Sequence, residues 1–393
     1  MQRRLFLKSV GAVTVLAVGG GVWRACNQGV FSAGQGPAFE PWNDWHKDSN
    51  PRPLALVRAA ILAASPHNTQ PWLFKVTSSS IELYLDPGRN VGALDPYLRE
   101  EHIGIGCALE NLMLAASANG YQAATTLFPA KLGPIPADPA PQLLAHIYLV
   151  PGKREQSELY DVIPRRHTNR SAFLPHSPLT AQFIDKLGSL TSDEPKVRIF
   201  LFTADADRKK IVEISSAANT EIYSDPEVNR GSRRWIRTRW SAVEKYRDGL
   251  TVDAAGLPPI ETGFVKMMPL WMLKRAEARV SKNAYSELML SAPLIGILAV
   301  PDHYDREDCL RTGRIWQRAH LLATVHGVAG RPCNEAVEMI DHERALGKYP
   351  LRARLLGELL RDAAWQPNFV FYMGYPTWPA RPSPRRPIES VTL

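Results

Sequence analysis

A chain of 393 residues suffices for one large domain or two ordinary ones, and 45% hydrophobic with 22% charged residues are globular values. The net charge of +8 draws on Arg3, Arg4, Lys8 and Arg24, all within residues 1–33, which hold no Asp or Glu. Without that stretch the 47 basic residues become 43 against 39 acidic ones, an excess of +4 that does not argue for nucleic acid.

The first 33 residues read as an address. Their apolar run from Val10 to Trp23 is shorter and richer in glycine than a spanning helix, which needs about 20 apolar residues. It suits the hydrophobic region of a signal peptide. Arg3-Arg4 followed by Phe6, Leu7 and Lys8 resembles the twin-arginine export motif. That resemblance implies an exported, periplasmic protein delivered by the twin-arginine machinery, and a membrane-tethered one if the signal is not cleaved. The four cysteines, Cys26, Cys107, Cys309 and Cys333, show no metal-ligand or CxxC spacing, so neither a metal site nor a disulfide framework is expected.

In the mature chain, residues 34–53 read as loop. "LALVRAAILAA" has apolar residues at helical spacing. "WLFKVTSSSIELYLD" reads as strand, turn and strand. "EEHIGIGCALENLMLAASANGY" reads as a long buried helix that stops at Gly120. "TTLFP", "LLAHIYLVP", "KVRIFLFTA" and "LIGILAVP" read as further strands. "TGRIWQRAHLLATVHGV" reads as a second buried helix that stops at Gly327. Aligned without gaps, the two buried helices match at Gly106/Gly313, Ala116/Ala323 and Gly120/Gly327. Equal spacing of start, small residue and stop points to an internal duplication. The expected fold class is α+β, with related halves at 34–154 and 155–393. An insertion at about 219–282 interleaves basic, aromatic and methionine residues, a composition suited to a lid over a planar ligand.

Three motifs carry chemistry. In "SPHNTQPW", Pro66 and Pro71 fix the entry and exit of a turn, and Asn68 and Gln70 each offer a donor and an acceptor. Ser65 with His67 lacks the GxSxG elbow of a hydrolase. In "PRRHTNRSAF", an extended backbone would put Arg166, Thr168 and Arg170 on one face, a good phosphate clamp. The tail "FVFYMGYPTWPARPSPRRPIESVTL" reads as a last strand followed by Arg385-Arg386, which could add to that clamp.

Together, "SPHNTQPWLF", "RHTNRSAF" and the closing "GYP…PRRP" resemble the nitroreductase superfamily of FMN-binding proteins, and more closely its internally duplicated, Acg-type branch. The resemblance spans nearly all of the mature chain. It implies a fused pseudo-dimer that holds FMN as cofactor. Arg166, Thr168, Arg170, Arg385 and Arg386 would meet the phosphate and ribityl chain. Pro66, His67, Asn68 and Gln70 would meet the isoalloxazine. Ala329 and Gly330, in "VAGRP", would approach N5 by their backbone. The first half has no RxTxR strand and the second no "SPHNTQPW", so one site per monomeric chain is expected. The implied activity is hydride and electron transfer from a small-molecule donor to a nitroaromatic, quinone or similar acceptor, with no residue required as acid or base. The alternative is a non-enzymatic, FMN-sequestering protein closed by its lid.

Overall fold

A computed structural model describes residues 21–46, 53–269 and 282–393. The twin-arginine motif, and residues 270–281 of the expected lid, lie outside the described residues. Two four-stranded antiparallel sheets frame the molecule. The first contains β1 (Trp72–Val76), β2 (Ser80–Leu85), β3 (Tyr121–Leu127) and β4 (Gln142–Pro151), in the order β1-β2-β4-β3. The second contains β5 (Arg198–Phe202), β8 (Leu294–Val300), β9 (Ala329–Pro332) and β10 (Gln366–Gly374), in the order β5-β8-β10-β9. Each sheet therefore runs first, second, fourth, third. A short parallel pair, β6 (Ile236–Arg237) and β7 (Leu250–Thr251), belongs to the inserted segment. The fold is α+β.

Burial explains which strands sit where. β2 alternates half-buried and buried residues, as expected where one face is less fully covered. Every residue of β8 is buried, so this strand is covered on both faces. Gly296 in β8 has no substitute: a Cβ there would lie 2.2 Å from Cζ of Phe371 in β10.

The chain enters the first sheet from α1 (Pro53–Ala60), of which Leu56, Val57, Ala59 and Ala60 are fully buried. In each half a 20-residue helix links the second and third strands: α2 (Arg99–Ala118) and α6 (Arg306–Val325). Asp95 caps the start of α2, accepting from the Arg99 and Glu100 amides at 2.9 Å each. Asp305 does the same for α6 through the Glu307 and Asp308 amides. This cap makes α6 begin before Thr312, where the apolar pattern alone would start it. Gly120 and Gly327 follow the two helices with φ of 80° and 67°, the left-handed conformation that glycine adopts without strain.

α2 and α6 cross at their glycines. A Cβ on Gly106 would stand 2.1 Å from the Leu310 carbonyl oxygen, and one on Gly313 2.0 Å from that of Ile103. Around this crossing lies one continuous core, containing Leu56, Trp72 and Phe74 of the first half with Trp316 and Phe371 of the second. The inserted segment runs through α3 (Asp205–Ser224), α4 (Pro226–Arg233) and α5 (Pro259–Met267). α7 (Glu335–Ala345) follows β9. The tail after β10 crosses back to the first sheet. There the Phe74 amide donates to Val391 O at 2.8 Å and the Leu393 amide to Phe74 O at 2.7 Å. Among the described residues no helix is long and apolar enough to cross a membrane.

Candidate functional site

The "SPHNTQPW" segment forms a tight turn between α1 and β1. Ser65 is extended, and Pro66–Asn68 make one 3₁₀ turn. His67, Asn68 and Gln70 all have positive φ, at 46°, 56° and 52°. Non-glycine residues in that region cost on the order of 1–3 kcal/mol each, so the surroundings must hold them there. The bonds that do so are specific. The Gln70 amide donates to Ser65 Oγ at 3.1 Å. Asn68 Nδ2 donates to Pro384 O at 3.0 Å and Gly249 O at 3.2 Å. Gln70 Nε2 donates to Arg247 O at 2.9 Å, and Gln70 Oε1 accepts from the Arg386 amide at 2.8 Å. The turn is thus clamped by the inserted segment on one side and by the carboxyl tail on the other.

Behind the turn lie two buried guanidiniums. Arg166 Nη2 donates to Leu62 O at 3.0 Å and Nη1 to His320 Nδ1 at 3.2 Å. Arg385 Nη1 donates to Asn68 Oδ1 at 2.6 Å, and Nη2 to Ala63 O at 3.1 Å. Both arginines are 2% exposed, and neither has a carboxylate within ion-pair distance among the described residues. The carbonyls after α1 and the Trp42 ring are their compensation. Arg385 Cζ stands 4.5 Å from that ring's centroid, and Arg166 Cζ 5.9 Å. Burial lowers the Arg166 pKa to about 10. Burial, and then the Arg166 charge, lowers that of Arg385. His167 packs edge-on against Trp42 and is held down to about pKa 3, first by burial and then by the two arginines. Arg166 Nε, Arg385 Nε, His167 Nδ1 and His320 Nε2 are all buried without a hydrogen-bond partner. Two cations without a carboxylate partner, each with its own Nε unpaired and with an unpaired imidazole nitrogen on His167 and on His320, have the chemistry that an anion would answer.

A cavity of about 200 Å³ lies among the neighbouring residues, and neither Arg166 nor Arg385 is on its lining. Pro66, His67, Thr168 and Arg170 line it, with Trp316 and Arg331. Arg170 Nη1 donates to Ala254 O of the inserted segment at 3.2 Å, and burial lowers its pKa to about 10. His67 Nε2 meets Ser232 Oγ at 2.7 Å, and its pKa falls to about 4 through burial and then the Arg170 charge. The inserted segment therefore touches both the turn and Arg170.

The other expected residues stand off this cavity. The amides of Asn68 and Gln70 face the segments that clamp the turn, and Arg386 Nη1 donates to Gln70 O at 3.2 Å. Ala329 and Gly330 lie one step behind the cavity lining: Gly330 packs against Trp316 and His320, and the next two residues, Arg331 and Pro332, reach the cavity. Sequence reasoning did not single out Trp42, His167 or His320. His167 lies inside "RHTNR" and could have been found there. Trp42 and His320 carry no motif, and only the fold brings them to the arginines.

Buried arginines without carboxylate partners, and a cavity lined by Arg170 and Arg331, make this α+β protein a candidate binder of an anionic ligand. The chain belongs to the nitroreductase family. It is 34% identical over 341 residues to the Mycobacterium tuberculosis protein named "Putative NAD(P)H nitroreductase Rv3131", covering 86% of this chain and 89% of that one. A second protein of that organism, "Putative NAD(P)H nitroreductase acg", is 35% identical over 75 residues, 19% of this chain. Among solved structures, the FMN-dependent nitroreductase NfnB from Mycobacterium smegmatis in complex with NADPH covers 60% of this chain and 97% of its own. It does so at 16% identity and a TM-score of 0.35. No family model matches.

Proposed function

We propose that the chain is an FMN-dependent oxidoreductase that passes electrons from a nicotinamide nucleotide to a nitroaromatic, quinone or similar small acceptor. The observation that carries this reading is the buried Arg166–Arg385 pair with no carboxylate partner, each arginine bonded to the segment (Leu62, Ala63) that runs into the cavity lining at Ala64. A phosphate monoester fits that donor set, because its charge and acceptor oxygens answer two guanidiniums and the unpaired nitrogens beside them. Family membership, and the NAD(P)H in the printed name of the tuberculosis relative, support the donor.

Bound FMN supplies the redox chemistry, taking up and releasing hydride at its N5. The chain's own residues supply position. Arg166 and Arg385 would hold the phosphate, with Arg386 tying the tail to the turn. Thr168 and Arg170, on the cavity lining, would bind the rest of the cofactor's polar chain. Pro66 and His67, also on the lining, would meet the ring, and Asn68 and Gln70 keep that turn in its strained shape. The backbone at Ala329 and Gly330 supports Arg331 at the cavity wall.

The finer features belong to the same proposal. The two halves are a duplication fused into one pseudo-dimeric chain, which the common strand order and the Gly106–Gly313 crossing support. Residues 219–282 act as a lid, supported by the bonds from Ser232, Arg247, Gly249 and Ala254 to the turn and Arg170. The twin-arginine signal sends the folded, flavin-loaded chain to the periplasm. Those same lid bonds favour a second reading, in which the chain stores FMN rather than turning it over.

The test is direct. Denaturing the purified protein should release FMN, identified by chromatography. Anaerobic NADPH should bleach it, and a nitroaromatic or quinone should restore the oxidised spectrum. Flavin that dithionite reduces but no nicotinamide nucleotide touches would mark the storage protein. Absence of flavin after incubation with excess FMN would overturn both readings.

A further inference from the structure

The cavity is lined by acidic as well as basic residues. Glu100, in the first turn of α2, lines it together with Glu335 and Glu338 from the first turn of α7. Glu100 and Glu338 are 7% and 8% exposed, so both carboxyls have left bulk water. Their supply of positive charge is thin. Glu100 Oε1 lies 3.4 Å from Arg99 Nη2. That guanidinium is already committed at 2.7 Å to Asp341 Oδ2 and at 2.6 Å to Asn368 O. The Glu338 side chain has neither a hydrogen bond nor an ion pair with any described residue, and Glu335 Oε2 is buried without a partner.

We propose that Glu100 and Glu338 form a proton-sharing carboxyl pair that delivers a proton to an acceptor being reduced in the cavity. The physical ground is that buried carboxylates lining one small cavity cannot all remain ionised with only the Arg99 guanidinium in ion-pair reach of one of them. Burial raises the pKa of both; the Glu100 charge raises that of Glu338, the charges of Asp95 and Glu335 raise both, Asp341 adds to Glu100, and Arg99 opposes. Around the pair stand Arg99, Glu101 and the cap Asp95 from α2, Glu335 and Asp341 from α7, and Arg331 from β9. His67 and Arg170 stand at the same cavity. The two arginines at the cavity, Arg170 and Arg331, make no ion pair with any described carboxylate.

The step balances. It rests on the flavin-oxidoreductase reading, in which a nicotinamide nucleotide is the ultimate reductant. Hydride delivered to a quinone leaves a hydroquinone monoanion, one proton short of neutral. The protonated member of the pair breaks its O–H bond and gives the proton to that oxygen. The pair is left one proton poorer and regains it from solvent when the cavity opens. An acceptor that takes electrons singly and needs no proton gains nothing from the pair.

Infrared spectroscopy of the purified protein at pH 7 reads the pair without any turnover. Wild type should show a protonated-carboxyl C=O band that Glu338→Gln removes, compared at equal flavin content. Stopped-flow reoxidation supplies the second arm. The Glu100→Gln/Glu338→Gln double variant should slow reoxidation by benzoquinone by about 10²-fold, the lower end for general acid catalysis. It should also raise the solvent deuterium isotope effect, and leave reoxidation by ferricyanide unchanged. Absence of the carboxyl band in wild type would overturn the proposal. So would equal slowing with benzoquinone and ferricyanide, which would mean the glutamates support structure alone. A chain that binds no flavin would overturn the delivery step together with the reading it rests on, and its FMN content reports that separately from the infrared result.

Discussion

Gly106 and Gly313 face each other across the crossing of α2 and α6, each leaving room only for the other helix's backbone. The relationship is symmetric. Gly313 lies 207 residues beyond Gly106 (313 − 106), and the carbonyls that would be struck, Leu310 and Ile103, are also 207 apart (310 − 103). Replacing either glycine by alanine should therefore cost about the same. Overpacking of a close contact is worth roughly 1–3 kcal/mol, and here backbone rather than a flexible side chain must move. Urea unfolding of Gly106→Ala and Gly313→Ala should show equal drops in midpoint. A loss confined to one of them would show that the crossing is not a shared two-fold contact.

The same offset bears on stoichiometry. Gly104 and Cys107 line the cavity. The residues 207 further on (104 + 207 and 107 + 207) are Arg311 and Arg314, and neither of these leaves open space. Arg311 pairs with Glu194, and Arg314 with Glu110 at 2.9 Å and Glu194 at 3.5 Å. Arg318 joins them by pairing with Glu110 at 2.7 Å. An ion network stands where a second cavity would lie. One FMN per chain is expected, on a monomer, because fusion holds both halves together without any cost of association. Light scattering with flavin analysis at several dilutions checks this. Two flavins per chain, or an obligate dimer that loses flavin on dilution, would contradict it.

Much of this was legible in the sequence, and the limits have physical causes. The paired stop signals at Gly120 and Gly327 mark helix ends because a positive φ there is a local requirement. The strands were readable because their alternation or continuous apolarity reflects one covered face or two. The site was readable only as motifs. The family resemblance of the motifs implied that Arg166 and Arg385 belong together, but not that both would converge on the carbonyls after α1 over Trp42. Nor could it show that Asn68 and Gln70 would turn their amides toward Pro384, Arg247 and Gly249. Those contacts join residues more than 170 positions apart, where local chemistry carries no signal. Glu100 and Glu338 were invisible for a different reason: each looks like an ordinary first-turn glutamate, favourable to a helix N-terminus.

The unneutralised arginine pair makes a prediction for the flavin-free protein. Inorganic phosphate should bind there and raise the melting temperature, because a ligand specific to the native state stabilises by mass action. Arg166→Ala and Arg385→Ala should each abolish most of that rise. For the loaded protein, each substitution should weaken FMN by roughly 1.5–3 kcal/mol, the usual worth of a charged hydrogen bond, and riboflavin by far less. Fluorescence titration with both flavins separates the two outcomes. Equal losses for FMN and riboflavin would show that these arginines serve folding through the carbonyls of Leu62 and Ala63 rather than the phosphate.

The buried carboxyls and imidazoles pull stability in opposite directions with pH. Asp95 and Glu100 have their pKa raised to about 6 and about 8, in each case by burial first, and Glu338 is raised further still. In that case the native state holds protons that the unfolded chain has lost. The stability this gives is full below the unfolded carboxylate values near 4–4.5 and falls as pH rises through the native ones. His67 and His102 are both lowered to about 4 by burial, so the unfolded chain binds protons that the native state refuses. Their penalty appears as pH falls below about 6.5 and is complete near 4. Between about 4 and 6.5 the two sets oppose each other. Between about 6.5 and 8 only the carboxyls titrate, so the melting temperature should fall as pH rises through that window. Glu338→Gln removes one of these groups and should flatten the fall. Differential scanning calorimetry at constant flavin content would check it, and a melting temperature that climbs from pH 6.5 to 8 would mean that these carboxyls are ionised in the native protein.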